Sequence, residues 1–295
     1  MECIVPGGCK IIQCIEECLN MKKISRRSFL AAAGVAAAAL ALTACGSSAS
    51  STASSAASSA ASSEAASASE LATVEAGKLT MATNAAFPPY EMTTDAGEFE
   101  GIDIETAQAI ADKLGLELQI DDMDFDAALL SVQQGKADIV MAGVTVTDER
   151  KAVMDFSDSY ATGIQSIIVP EGSDIASPDD LAGKKIGTQR GTTGYIYCSD
   201  DFGDDAVVAY DNGLTAVQAL NNGQVDAVVI DNAPAKEYVA ANPGLTILDT
   251  SYAEEDYAIG MAKGSSLEAA VNAALEELKA DGTLQAIVDK YITAE

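Results

Sequence analysis

Two stretches of this chain carry the same pattern: the tail of an amphipathic helix, a glycine, an aspartate and then a run of apolar residues. The two copies are residues 130–140, with Gly135 and Asp138, and residues 218–228, with Gly223 and Asp226. A glycine at this place ends a helix, and a short apolar run after it is typical of a buried strand. The repeat therefore indicates either two ordinary helix–strand units or two similar lobes, each with its own sheet.

Strand and helix patterns alternate from residue 78 onward. Strands are predicted at residues 79–83, 116–120, 137–142 and 185–188, and helices at residues 103–114, 125–134, 266–280 and 284–291. Residues 177–180 predict a further helix start, because a serine cap precedes a proline and two acids that favour the positive end of a helix dipole. This alternation is typical of an α/β fold with largely parallel sheets.

The charge and the missing histidine exclude several classes of function. Among 295 residues, 45 are acidic and 17 basic, which gives a formal charge of −28. A surface with this much negative charge repels phosphate backbones. We therefore expect no nucleic-acid partner. The chain contains no histidine, so a Ser-His-Asp or Cys-His catalytic unit and a histidine-ligated metal site are also excluded. Carboxylate chemistry stays open on composition alone.

Residues 21–45 predict an export signal with a lipid attachment site. A basic start is followed by an alanine- and leucine-rich run at 31–41, which is too short to span a bilayer. The tetrapeptide Leu-Thr-Ala-Cys at 42–45 then resembles the bacterial lipobox, in which the cysteine, here Cys45, is acylated and becomes the new N-terminus. The basic start contains two adjacent arginines and fits either twin-arginine or Sec export.

The segments on either side of this signal have simpler interpretations. Residues 1–20 contain four cysteines whose spacing fits no zinc site, and we interpret the segment as an upstream extension from a start codon assigned too early rather than as a metal or redox knot. Residues 46–76 consist largely of serine and alanine and predict a flexible tether. The sequence thus predicts a folded part joined to a membrane through a lipid.

Candidate ligand contacts follow the two repeated strands, because ligands of open α/β sheets bind beyond the carboxyl ends of strands. In the first copy these are Gly143, Thr145 and Arg150. Thr147 is placed to cap a helix, so Arg150 would lie in the first helical turn. A lone helical arginine is commonly a solvated surface residue, but the dipole disfavours a cation at this position, which favours an arginine that meets an anion.

In the second half, residues 189–194 follow a strand and open a helix. Their glycines allow close backbone approach, and the free N–H groups of a helix start favour an anion. The segment lacks the glycine–lysine pair of a phosphate loop. Asp231 ends the second repeated strand, where it could bind a ligand or only cap a helix near Pro234.

Together these motifs identify a resemblance. Residues 78–291 resemble the amino-acid-binding proteins of ABC importers, which have the type II periplasmic-binding fold. The motifs are TNAAFPPY at 83–90, GIDI at 101–104, DFD at 124–126, TVTDER at 145–150, GTTG at 191–194 and VDAVVID at 225–231. The resemblance covers nearly all of the chain after the tether.

The resemblance implies how the backbone part of a free amino acid would be held. Arg150, with Thr145 and Thr193, is expected to bind the α-carboxylate. The backbone of Gly143 and the side chain of Asp231 are expected to bind the α-ammonium. Charged groups of this kind match the two ends of a zwitterion.

The resemblance also implies contacts to the ligand side chain. Phe87 and Phe125 would sandwich it, although both could instead be core residues, and Asn84 and Gln189 would face its tip. Relatives that bind cationic amino acids often have an acid where this chain has Asn84, so we expect a polar, neutral ligand. No catalytic residue, cofactor or metal is implied.

The implied architecture is a two-lobed α/β fold with two chain crossovers at the hinge, near residues 165–168 and 250–255. Lobe 1 would comprise residues 77–166 and 252–295, and lobe 2 residues 167–251. The implied role is a monomeric, extracytoplasmic lipoprotein that delivers its ligand to an ABC permease.

Two other functions stay open at this point. A carboxylate-based dehydratase on the same fold is one, although no further ionisable group is obviously placed for catalysis. A ligand sensor acting through a partner receptor is the other. Cys198 matches no motif, and we expect it to be an unpaired, buried thiol.

Overall fold

The computed structural model describes residues 71–292. The predicted extension (1–20), the signal peptide (21–45) with Cys45, and the tether except for residues 71–76 lie outside the described residues.

The described chain alternates strands and helices as the sequence predicts. The helices are α1 (Ile102–Leu114), α2 (Phe125–Gln133), α3 (Asp148–Val153), α4 (Thr193–Phe202), α5 (Gly213–Asn221), α6 (Asn232–Ala241), α7 (Glu268–Ala280) and α8 (Thr283–Tyr291). The strands are β1 (Lys78–Thr83), β2 (Ala86–Phe87), β3 (Glu91–Thr93), β4 (Phe99–Glu100), β5 (Glu117–Asp122), β6 (Ile139–Val140), β7 (Met154–Phe156), β8 (Ala161–Pro170), β9 (Ile186–Gln189), β10 (Val207–Tyr210), β11 (Ala227–Asp231), β12 (Leu245–Ile247), β13 (Ala253–Tyr257) and β14 (Gly260–Ala262). Within residues 71–292, every helix is too short or too polar to cross a membrane.

Two main sheets form the fold. The first has the strand order β5-β1-β6-β14-β7, and the second has the order β10-β9-β11-β8-β12, with β13 paired to β8. In each sheet only the strands joined through helices are parallel, and β7, β8, β12, β13 and β14 pair antiparallel. The prediction of largely parallel sheets was therefore only half right, because the segments that pass between the sheets return without a crossover helix.

The chain passes between the two sheets twice. Strand β7 lies in the first sheet and β8 in the second, so residues 157–160 make the first passage. Strand β13 lies in the second sheet and β14 in the first, so residues 258–259 make the second. The strands β8 and β13 run antiparallel beside each other next to these passages. The lobe boundaries given above stay a prediction.

The repeated aspartates have the same structural role in both sheets. Asp138 accepts hydrogen bonds from the N–H of Val74 (2.7 Å) and of Thr80 on β1 (2.8 Å). Asp226 accepts one from the N–H of Lys185 just before β9 (2.7 Å). Each carboxylate thus fixes the start of the neighbouring parallel strand, which is why the pattern occurs once in each sheet.

Two local predictions were confirmed, and one strand is shorter than predicted. The helix start predicted at residues 177–180 is present, with a capping box between Ser177 and Asp180, although it opens only a single 3-10 turn at Pro178–Leu181. The strand predicted at 137–142 is reduced to β6, because the backbone turns at Gly143 with a φ of 56°. Cys198 is a free, fully buried thiol, and burial raises its pKa to about 12.

Candidate functional site

The candidate site lies where strands of both sheets end. Asn84 follows β1, Gly143 and Thr145 follow β6, Gln189 ends β9 and Asp231 ends β11. Phe87 lies on β2, Phe125 and Thr193 are the first residues of α2 and α4, and Arg150 is in the first turn of α3. Carboxyl ends of strands are the usual place for a ligand in α/β sheets.

All nine of these side chains or backbones line one cavity. Its remaining lining residues, which the sequence analysis did not single out, are Glu91, Ala142 and Thr192. The free space is about 10 Å³, which holds no more than about one water molecule. A ligand therefore enters only when the lobes or the side chains separate. The binding roles of the nine residues stay predictions.

A buried cation marks one end of the cavity. Thr147 caps α3 and accepts a hydrogen bond from the N–H of Arg150 at 3.2 Å, as predicted. The Arg150 side chain is only 8% exposed. Its guanidinium donates to the carbonyl oxygens of Thr145 (2.8 Å) and Gly191 (3.1 Å), and its carbon lies 5.4 Å from the ring centroid of Phe125.

Arg150 forms no ion pair with a carboxylate anywhere in residues 71–292. Burial lowers its pKa, and the negative charge of Glu255 is the largest effect opposing that shift. A buried guanidinium bonded only to carbonyls retains capacity for an anion, and its planar fork matches a carboxylate.

A buried acid marks another part of the cavity. Asp231 is 7% exposed, accepts a hydrogen bond from the amide of Gln165 at 2.8 Å, and accepts another from the hydroxyl of Tyr257. Burial, and then the nearby Glu255 carboxylate, raise the pKa of Asp231 to about 7. Asp231 is thus able to offer a charge to a cation near neutral pH.

Two further acids are buried near this part of the cavity: Glu91 lines it, and Asp103 lies outside its lining. Asp103 is fully buried and accepts hydrogen bonds from the N–H of Gly143 (3.0 Å) and the hydroxyl of Tyr160 (2.7 Å). It therefore fixes the turn at Gly143, and burial raises its pKa to about 6. Glu91 is also fully buried, and burial together with the charge of Asp103 holds its pKa well above the usual range. This shift favours the protonated, neutral form of Glu91.

The sequence analysis assigned no role to these two acids. Asp103 lies within the GIDI motif at 101–104, and that motif was the signal from which its position near the site could have been found. Glu91 directly follows the TNAAFPPY motif, but its sequence context is that of an ordinary polar residue in a strand and gives no sign of a role in the site.

Side-chain amides and aromatic rings line the remainder of the cavity. The amide of Gln189 donates to the side-chain oxygen of Asn84 at 2.9 Å, which links the two sheets across the cavity. Phe87 and Phe125 are 6% and 5% exposed, and both line the cavity. Phe87 also stacks on Tyr90 with a centroid separation of 6.0 Å. The prediction that the two rings sandwich a ligand remains open.

Two α/β units, with a charged and polar cavity between them at the strand ends, define a two-lobed solute-binding protein. The chain belongs to the bacterial extracellular solute-binding proteins, family 3, and a sequence model of that family matches residues 79–294. The resemblance drawn from the motifs and the predicted fold are therefore confirmed.

Similar proteins are known by sequence and by structure. The chain is 33% identical over 287 residues to a probable histidine-binding protein of Neisseria gonorrhoeae, with 94% of this chain and 98% of that protein covered. The arginine-, lysine-, histidine-binding protein ArtJ of Geobacillus stearothermophilus is 35% identical with a TM-score of 0.71, covering 74% of this chain and 96% of that one. An ancestral arginine-binding protein bound to glutamine is 42% identical with a TM-score of 0.71, covering 75% and 100%.

Proposed function

We propose that this solute-binding protein captures a free amino acid with a polar, neutral side chain between its two lobes and delivers it to an ABC permease. The observation that carries the proposal is one cavity lined by a buried cation, Arg150, and a buried acid, Asp231, which form no ion pair with each other in the described chain. The α-carboxylate and α-ammonium of an amino acid supply the two opposite charges that these groups lack. The amino-acid-binding relatives support the same class of ligand.

In this proposal the α-carboxylate binds the guanidinium of Arg150 and the N–H groups at the start of α4, which begins at Thr193. The first N–H groups of a helix have no partner within the helix, and the dipole favours an anion there. The α-ammonium lies near Asp231 and the backbone of Gly143.

The preference for a polar, neutral side chain rests on the far end of the cavity. Asn84 and Gln189 present amides there, and these amides are already matched to each other as donor and acceptor at 2.9 Å. The raised pKa of Glu91 favours its neutral form, so this acid is a poor partner for a cationic ligand tip. A ligand amide such as that of glutamine could exchange hydrogen bonds with this pair, whereas a guanidinium would find no charged partner at the tip.

Calorimetry with a panel of L-amino acids tests the proposal. Glutamine, histidine, arginine and lysine are the first members of the panel, since relatives are named for them or bind them. Arg150→Ala should abolish binding of the preferred amino acid, because the loss of one partner of a desolvated charge pair costs about 2–5 kcal/mol. Lys151→Ala changes an exposed cation on the same helix and should bind normally. Near-normal affinity in Arg150→Ala would disprove the assignment.

The export and membrane attachment of the protein are also part of the proposal. We expect Cys45 to carry the lipid and residues 1–44 to be absent from the mature, monomeric protein. Intact mass spectrometry of the membrane fraction should show an acylated chain that begins at Cys45. A mature N-terminus upstream of Met21 would contradict both the lipobox and the late-start interpretations.

The dehydratase alternative has less support than binding. The three relatives are named for what they bind and not for a reaction. Asp103 and Asp231 accept hydrogen bonds from a backbone N–H, a side-chain amide or a hydroxyl. A sensor role through a partner receptor would use the same ligand site, so the calorimetric panel applies to it equally.

A further inference from the structure

One buried acid of the hinge strands has no role in the site described so far. Glu255 lies on β13 and is 7% exposed. One of its oxygens, Oε2, accepts three hydrogen bonds: from the hydroxyl of Thr193 (2.9 Å), the amide of Gln165 (3.0 Å) and the hydroxyl of Thr145 (3.1 Å). Its other oxygen, Oε1, is buried and has no hydrogen-bond partner in the described chain.

These three donors come from different parts of the fold. Thr145 follows β6 of the first sheet, Thr193 begins α4 after β9 of the second, and Gln165 lies on β8 beside β13. The two hydroxyl oxygens are 3.5 Å apart. A donor from each lobe therefore reaches a single oxygen on a hinge strand, and this is possible only while the lobes are close together.

Glu255 reaches the threonines from the hinge and does not line the cavity. Each hydroxyl has one proton, and both protons are directed at the carboxylate. This leaves the guanidinium of Arg150 and the N–H groups at the start of α4 to face a ligand carboxylate. Hydrogen bonds from neutral donors to an ionised acceptor are stronger than neutral ones, so three on one oxygen hold this corner of the site firmly.

We propose that Glu255 is a positioning residue that ties the two lobes together through Thr145 and Thr193 and holds the carboxylate-binding corner in its closed arrangement. It contributes affinity without touching the ligand, because the apparent affinity of a ligand rises with the fraction of protein in the binding-competent form. The predicted effect of Glu255 on affinity rests on the proposed function. The predicted effect of Glu255 on closure does not.

The test compares Glu255→Gln with a matched control. Glu255→Gln keeps the size of the side chain and removes its charge, and Glu254→Gln makes the same change at an exposed neighbour on β13. By calorimetry with the tightest-binding amino acid of the panel, Glu255→Gln should bind about tenfold more weakly than the wild type, the size expected from weakened charge-assisted hydrogen bonds. Glu254→Gln should bind normally. Unchanged or tighter binding by Glu255→Gln would overturn the inference, since tighter binding would mean that Glu255 competes with the ligand carboxylate.

Small-angle scattering of the free proteins separates this inference from the proposed function. Free Glu255→Gln should have a larger radius of gyration than the free wild type, even if no amino acid in the panel binds. Thr145→Val, which removes the donor that follows β6 of the first sheet, should expand the free protein in the same way and provides a second variant if Glu255→Gln does not fold. Identical scattering of the wild type and a folded variant would overturn the closure role.

Discussion

Asp231 must carry a charge to bind an ammonium, yet the fold has removed its carboxylate from water. Burial raises its pKa to about 7, and Glu255 adds to the shift, while hydrogen bonds from Tyr257 and Gln165 oppose it. The charged form, which a ligand ammonium needs, therefore dominates only above about pH 7. Binding of the ligand is consequently expected to depend on pH in a range where most aspartates do not titrate.

The affinity for the preferred amino acid should fall by about tenfold for each unit of pH below about 7, because each ligand ammonium must find Asp231 deprotonated. Calorimetry from pH 5.5 to 8.5 measures this. Asp231→Asn should bind weakly at every pH and lose the dependence. A wild-type affinity that stays constant over the range would show that Asp231 is not the ammonium partner.

The stability of the free protein should fall as the pH rises, whereas the affinity for the ligand should increase. An acid whose pKa is raised on folding binds more protons in the folded state, so its stabilising contribution is full below the unfolded pKa and is lost as the pH rises through about 7. Asp103, with a pKa raised to about 6, acts in the same direction.

Single residues of the site were predictable to very different degrees. Arg150 could be singled out because its position in the first helical turn is unfavourable unless an anion is near. Glu255 could not be singled out, because residues 254–256 are all acidic and a run of this kind is typical of a solvent-exposed surface. Its burial depends on donors that are distant in sequence, such as Thr145, and no local pattern specifies such contacts.

At the scale of elements, the two repeated aspartates each fix the start of a parallel strand, one in each sheet. Asp138 is 6% exposed and fixes two backbone N–H groups, whereas Asp226 is exposed and fixes one. Asp138→Ala should lower the free energy of unfolding by about 1–3 kcal/mol, since it leaves the buried N–H of Thr80 without a partner.

Asp226→Ala is the matched control and should cost less, because water can replace its carboxylate. Urea unfolding of the two variants measures the difference. Equal losses, or a larger loss for Asp226→Ala, would contradict the view that burial decides the contribution of this contact.

Helices and strands were predictable wherever the pattern is local. The helix ending at Gly115 follows from its glycine, which has a φ of 69°. The 3-10 turn at Pro178–Leu181 shows that local patterns predict where a helix begins better than how long it is. Good capping residues begin a helix, but only an apolar face packed on a core extends it. The antiparallel pairing of β8 and β13 also escaped prediction, since strand direction is set by contacts far apart in the chain.

At the scale of the whole molecule, several hydrogen bonds join the two sides of the cleft. Gln189 donates to Asn84, Arg150 donates to the carbonyl of Gly191 at 3.1 Å, and the hydroxyl of Tyr238 donates to the carbonyl of Ala86 at 2.8 Å. These contacts define a closed form in which the site residues of both lobes converge. An amino acid can satisfy both its charges only in such a form, so its binding favours closure.

We propose that closure is also the change that a permease recognises. Exclusion of water strengthens each charged hydrogen bond within the site. We therefore expect the permease to recognise the closed shape rather than the ligand.

Small-angle scattering of the chain, with and without the tightest-binding amino acid of the panel, tests this account most directly. The radius of gyration should be lower with the ligand, and Arg150→Ala should show no change under the same conditions. A scattering curve that the ligand leaves unchanged, although calorimetry shows it bound, would contradict capture by closing lobes.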